Sequence, residues 1–150
     1  MAAPSTGRTA TLATYTQIVE ANQATFAAWN AHDPDAVAAL FSPDAVVRDI
    51  GSPGELRGRD AIRERAADLL VAFPDFRLRQ LDLVVGEDAN ADRWEASGTH
   101  SGRFLGLEAT GRHVSVEGAT FTRFDSAGLV VEDVNFWDVA TLVAQLGASE

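Results

Sequence analysis

Cysteine is absent from the 150 residues, which removes disulfides, thiolate nucleophiles and cysteine-type zinc or iron–sulfur sites together. Positive charge is scarce. Twelve basic residues against 22 acidic ones leave a formal net charge of −10, so a phosphate backbone or an anionic leaflet would be repelled over most of the surface. Neither nucleic acid nor a membrane is an expected partner, and no run approaches the roughly 18 apolar residues of a spanning helix. Residues 1–13 lack the apolar stretch of a secretory signal, which predicts a loose tail on a cytoplasmic protein. His32, His100 and His113 stand apart without the paired spacing of zinc ligands, so no metal is expected. Gly102, Gly106 and Gly111 make no dinucleotide fingerprint, because no helix of the required kind follows them. No cofactor is expected.

What is present is ordinary globular sequence: 46% hydrophobic and 23% charged residues, enough chain for one core and too little for two. A single domain is predicted over 14–147. Ile18, Phe26 and Trp29 fall near one helical stripe with Asn22 between them, which predicts an amphipathic helix over 14–30. His32-Asp33-Pro34-Asp35 caps a short second helix running through Ala36 to Phe41. A β-branched strand over 45–50 ends in Gly51-Ser52-Pro53-Gly54. Ile62, Ala66, Leu69 and Leu70 mark a third helix, which Phe73-Pro74 stops.

From there the pattern changes to strands, over 76–85, 92–101, 113–124 and 129–136, before a terminal helix over 138–146. Helices first and antiparallel strands later describe an α+β fold and not a parallel α/β sheet. A coiled sheet covered by helices on its concave side leaves a cavity, the default place for a small ligand.

The hairpin at Asp125-Ser126-Ala127-Gly128 fixes faces through its register. With Asp125 opposite Gly128, Thr122 meets Val131, Thr120 meets Asp133 and Gly118 meets Asn135, all on one side. Ala119, Phe121, Arg123, Val130, Glu132, Val134 and Phe136 take the other. Two arrangements satisfy this pattern. Either the polar set faces water and the apolar set lies under the helices, or the polar set lines a pocket and the apolar face is buried against a second copy of the chain. The second predicts a homodimer through the outer sheet face. His100, in Ser97-Gly98-Thr99-His100-Ser101-Gly102, is a candidate acid or base by its ordinary pKa, or a strand-end residue. Trp29, Trp94 and Trp137 are either core or the walls for a flat aromatic ligand.

Four segments carry a resemblance: Ala28-Trp29-Asn30-Ala31-His32-Asp33-Pro34-Asp35, Ala72-Phe73-Pro74-Asp75-Phe76, Ser97 to Gly102, and Phe136-Trp137-Asp138 through Gln145-Leu146-Gly147. In this order and spacing, from about Val19 to Gly147, the chain resembles the SnoaL-like polyketide cyclase (ester cyclase) family. The resemblance implies a cone-shaped α+β barrel, with a curved, mainly antiparallel sheet covered by helices on its concave face, shared with scytalone dehydratase and ketosteroid isomerase. It also implies a hydrophobic aromatic substrate of anthracycline type, closed by an intramolecular aldol reaction without a cofactor.

Proton abstraction beside a carbonyl needs a positioned base and donors for the enolate oxygen, and ketosteroid isomerase is a worked case of that division of labour. The family's catalytic Asp falls at Asn135 and its assisting His near Thr120. Asn135 cannot be a base but can donate to an oxyanion. Asp133, on the same face, is the substitute, with His100 second. Asn22, Trp29, Trp94, Gly118, Thr120, Thr122 and Trp137 are the expected substrate contacts. Some family members are implicated in ring hydroxylation, which would require a separate reductase, and a non-catalytic binding module is a third reading.

Overall fold

The computed structural model describes residues 12–147. Helix α1 runs Tyr15–Asn30 and begins with a reciprocal cap. Thr14 Oγ1 accepts from the Gln17 amide at 3.0 Å, and Gln17 Oε1 accepts from the Thr14 amide at 2.8 Å, so two otherwise orphaned donors are satisfied. The buried side of α1 carries Ile18, Asn22 and Ala28, which puts a carboxamide on a stripe that is normally apolar. At its other end Asn30 Nδ2 donates to the Leu78 carbonyl at 2.9 Å, and Asn30 Oδ1 accepts from the Leu78 amide at 2.8 Å. Leu78 lies on a sheet edge, where those backbone groups lack a neighbouring strand.

Helix α2, Pro34–Ala39, is capped by Asp33 Oδ1, which accepts from the Ala36 amide at 3.1 Å; Pro34 sits in the first turn, where a missing amide costs nothing. The expectation that this helix reaches Phe41 is corrected. Strand β1, Phe41–Asp49, already begins there, because the Leu40 carbonyl accepts from the Val130 amide and Phe41 comes into register with Val130. The register shifts between Phe41 and Val46, and that irregularity accommodates Pro43, which has no amide for a ladder. Strand β2, Glu55–Arg57, is a three-residue addition to β1 that no alternation announces.

Helix α3, Gly58–Ala72, then leads into strands β3, Arg77–Val85, β4, Ala89–Thr99, β5, His113–Phe124, and β6, Val130–Trp137, and into the short helix α4, Val139–Gln145. The sheet order is β2-β1-β6-β5-β4-β3, with β1 and β6 parallel and every other neighbour antiparallel. This is an α+β fold with a mainly antiparallel sheet. No helix among the described residues is long and apolar enough to cross a membrane.

The β5–β6 hairpin differs from its expected register by two residues. Asp125 faces both Gly128 and Leu129, since its carbonyl accepts from the Gly128 amide at 3.0 Å while its own amide donates to the Leu129 carbonyl at 2.9 Å, and Gly128 takes a positive φ of 85°. A further shift between Arg123 and Phe124 leaves Val131 as an extra residue. Each irregularity adds one position, so Thr122 meets Asp133, Thr120 meets Asn135 and Gly118 meets Trp137. The even displacement keeps Thr120, Thr122, Asp133 and Asn135 on their assigned face, but Val130, expected on the outer face, is corrected: the bulge at Val131 turns it inward to pair with Phe124 in the core.

One core cluster joins Ile18, Val37, Ala45, Ile62 and Val130; another joins Phe73, Phe76, Val114, Leu142 and Leu146, with Trp29 packed against both. Ala13, placed by the sequence reading in the tail, is buried in the first cluster. Residues 1–11 of that tail lie outside the described residues.

Candidate active site

Two rows of cross-strand partners cross the helix-covered face. Asp92, Thr120, Asn135 and Asp49 stand side by side on β4, β5, β6 and β1, and Asn90, Thr122, Asp133 and Val47 form the next row. Neighbouring strands are ~4.8 Å apart and alternate residues share a face, so these groups form one polar patch. Asn22 reaches down from α1 and donates to Asp92 Oδ2 at 3.4 Å, which shows that the patch lies beneath that helix.

The first row is a directed chain of hydrogen bonds. Trp94 Nε1 donates to Thr120 Oγ1 at 2.8 Å, and that hydroxyl donates to Asn135 Oδ1 at 2.6 Å. Asn135 Nδ2 donates to Asp49 Oδ1 at 2.7 Å, while Asp49 Oδ2 accepts from both terminal nitrogens of Arg65 at 3.1 and 2.9 Å. The amide of Asn135 is thereby fixed in one orientation, with its second N–H unpartnered among the described residues. A recess of about 150 Å³, lined by Val47, Asp49, Arg65 and the Ser52–Leu56 turn, adjoins the Asp49 end of the row.

The second row holds the titratable group. Thr122 Oγ1 donates to Asp133 Oδ1 at 2.7 Å, but enclosure outweighs that bond. Desolvation, then the charges of Asp92, Asp49 and Glu132, push the Asp133 carboxyl up to about 7. Asp133 as a residue is only partly covered, while its carboxyl is poorly solvated. Asp92 is pushed up to about 6, again chiefly by desolvation, against the opposing bond from Asn22. Two acids that titrate near neutrality on one face suit proton transfer. Among the described residues no group of three His, Cys, Asp or Glu side chains is placed to hold a metal ion.

Of the residues singled out in the sequence, Asn22, Trp94, Thr120, Thr122, Asp133 and Asn135 come together here. His100 does not, and its role as second base is corrected. It lies beyond the end of β4, ten residues from Asn90, or roughly 30 Å along an extended strand. Its ring is 0% exposed, accepts from the Thr110 amide at Nδ1 and lies 5.6 Å from Phe73, inside the other core region. Gly118 is corrected too: a Cβ there would run into the six-membered ring of Trp94. Its lack of a side chain lets that ring lie against the sheet, so Gly118 shapes the site through Trp94 without offering a contact of its own. Trp29 packs against Phe76 with ring centroids 5.5 Å apart, which makes it a core residue. Trp137 shares a row with Gly118 and Trp94 and also packs against the second core cluster.

Asp92, Asn90, Asp49 and Arg65 are the residues that sequence reasoning missed. Asn90, Asp92 and Trp94 alternate along one strand, and that period was the available signal for the first two. Asp49 and Arg65 reach Asn135 from β1 and α3, so no local pattern announces them.

The outer face is different in kind. Phe121 and Phe136 are 46% and 48% exposed there, beside Ala91, Ala119 and Val134 in the same rows. Charged ladders flank them, including Arg79 with Glu95 and Arg93 with Asp82 and Glu117.

The architecture is that of a small α+β protein whose covered sheet face carries the acids, and solved structures share it. The chain is similar to AclR of Streptomyces galilaeus, a candidate hydroxylase, at 28% identity and TM-score 0.79, over 91% of this chain and 89% of that one. It is similar to IdmH of Streptomyces antibioticus, a candidate polyketide cyclase, at 30% identity and TM-score 0.74, over 87% and 99%. TsrD of Streptomyces laurentii matches at 27% identity and TM-score 0.80, over 91% and 98%. No curated protein matches the chain in sequence. The family model for SnoaL-like polyketide cyclases matches residues 19–146, and the chain belongs to that family.

Proposed function

We propose that the protein is an enzyme acting on an aromatic polyketide, which enolises its substrate and closes a ring by intramolecular aldol addition. The observation that carries this reading is the placement of Asp133 and Asn135 two residues apart on the same face of β6, beneath α1. The Asp133 carboxylate takes a proton from the carbon beside a carbonyl, and the spare N–H of Asn135 donates to the enolate oxygen. The enolate carbon then attacks a second carbonyl, and the resulting alkoxide recovers the proton from Asp133. A carboxyl that titrates at about 7 is suited to both transfers at neutral pH. Trp94 supplies an aromatic wall held by its bond to Thr120.

A methyl-ester polyketide precursor should give a cyclised product of unchanged mass, and in D2O the substrate should exchange its α-proton even before ring closure. Retention of both activities in Asp133→Asn would refute the assignment of the base. A second reading, a ring hydroxylase served by a separate reductase, draws support from the likeness to AclR together with Asn135 at the family's acid position. A product one oxygen atom heavier, formed only with reductase and O2, would decide for it. Tight binding without turnover would decide for a carrier. The same reading includes a homodimer whose outer sheet faces cover Phe121 and Phe136, since the two rings stand with Ala91, Ala119 and Val134 in adjoining rows as one apolar patch, and contiguous patches of that kind mark interaction surfaces.

A further inference from the structure

We propose that Asn22, Asn90, Asp92 and Asp133 form a nook that seats a hydroxyl-bearing edge of the substrate, which enters as a hydrogen-bond donor. This rests on the ligand-binding reading above and adds the orientation of the ligand. Asn22 and Asn90 are 5% and 3% exposed, and the Oδ1 atom of each has no partner among the described residues. Buried amide oxygens are normally satisfied, because an unmade bond there forfeits the hydration given up on folding. Here two go unsatisfied on one face, around an acid that titrates near neutrality.

The orientation of Asn22 follows from its neighbour. An ionised Asp92 can only accept, so Asn22 turns Nδ2 toward it and leaves Oδ1 over. Asn90 stands two residues before Asp92 on the same face of β4, and its register partner Thr122 has spent its hydroxyl on Asp133. The patch therefore holds two carboxylates and two unpartnered carboxamide oxygens as acceptors, against the Nδ2 of Asn90 and one further N–H of Asn22 as donors. The chain has no lysine, and among the described residues the arginine ion pairs lie elsewhere: Arg65 serves Asp49, Arg79 serves Glu95, Arg93 serves Asp82 and Glu117, and Arg123 serves Asp88 and Glu132.

Asn135, in the neighbouring row, has the opposite sense. The Asn135 carbonyl is already occupied by Thr120, and a spare N–H remains. A ligand spanning both rows is bound in one direction, its carbonyl toward Asn135 and its hydroxyl toward Asn22 and Asn90. A neutral hydroxyl fits better than an ammonium, because a cation beside Asp133 would hold that carboxyl ionised and prevent it from returning a proton. A hydroxyl on an aromatic ring also places its flat face within reach of Trp94.

Three naphthalenes test this with the full chain at neutral pH: 2-naphthol, 2-methoxynaphthalene and 2-naphthylmethylammonium, followed by calorimetry and tryptophan fluorescence. The naphthol should bind about tenfold tighter than the ether, the difference of one good hydrogen bond. Asn90→Leu and Asn22→Leu should each bring that ratio toward one while leaving the ether's affinity within about twofold. If Asn22→Leu fails to fold, Asn90→Leu decides alone. Equal binding of naphthol and ether, or preference for the ammonium, overturns the proposal. Binding of none of the three, with Asp133-dependent α-proton exchange intact, overturns it while leaving the enzymatic reading standing; loss of both binding and exchange removes both.

Discussion

Replacing Asp133 with asparagine tests the chemistry of the site and its cost to the fold in one variant. The carboxyl rises from 3.8 to about 7 on folding, with desolvation the leading cause, so the folded protein holds this proton more tightly than the unfolded chain does. Linkage then fixes the sign. The stabilising contribution is fully present below about pH 4 and is lost as pH rises through about 7, above which the fold carries a poorly solvated carboxylate. A displacement of that size is worth ~4 kcal/mol, and because part of it belongs to the coupled titration with Asp92, a gain on the order of 2–4 kcal/mol is expected for the variant.

A carboxamide in place of the acid would keep an oxygen for the Thr122 hydroxyl and could never ionise. Urea unfolding followed by circular dichroism should show Asp133→Asn more stable than the parent at about pH 8, with the difference shrinking toward zero near about pH 4. In thermal melts the gain at high pH should be on the order of 5–10 °C for a chain of this length. The same variant should lose α-proton exchange by roughly a hundredfold or more. A variant no more stable than the parent at high pH, or a difference that does not vary with pH, would show that the carboxyl is well solvated and that the reasoning about its base strength fails.

Asn135→Asp introduces the acid that the family resemblance implies at this position but sets it at the 2.7 Å contact that Asn135 now makes with Asp49; two carboxylates cannot both ionise there, so the variant should lose stability above about pH 6 and regain it with Asp49→Asn, by denaturant titration. Asp92→Asn removes a charge that raises Asp133, so the acid limb of the pH–rate profile for exchange should move to lower pH. Gly118→Ala should displace the Trp94 ring, break its bond to Thr120 and raise KM more than it lowers kcat, with a change in tryptophan emission. Phe121→Arg together with Phe136→Arg should convert a dimer to a monomer in light scattering while leaving the circular dichroism spectrum unchanged; an unaltered mass would refute the outer-face interface.

The site was partly legible because strand geometry is a local code. Alternation along 113–124 and 129–136 put Thr120, Thr122, Asp133 and Asn135 on one side, and this survived a register displaced by two positions because an even shift preserves faces. His100 shows the limit of that code. Its residue type suits acid–base work, but ten residues of strand carry it away from the carboxylates, and distance along β4 says nothing of chemistry until the sheet is assembled. Gly118 is a parallel case, since only the ring of Trp94 lying over it explains why no side chain stands there.

By itself the chain determined its helices and its strands other than β2, through caps at Thr14, Asp33 and Asp138 and through hydrophobic period, because these depend on neighbours a few residues away. It also determined which residues share a sheet face. The folded molecule alone decided that Asp49 and Arg65 orient Asn135 across a parallel strand pair, that Asn22 of α1 meets Asp92 of β4, and that Asp133 loses enough water to titrate near neutrality. The Asn135–Asp49 and Asn22–Asp92 bonds join segments 86 and 70 residues apart, and both desolvation and charge coupling depend on distance in space, which no local pattern of residues encodes.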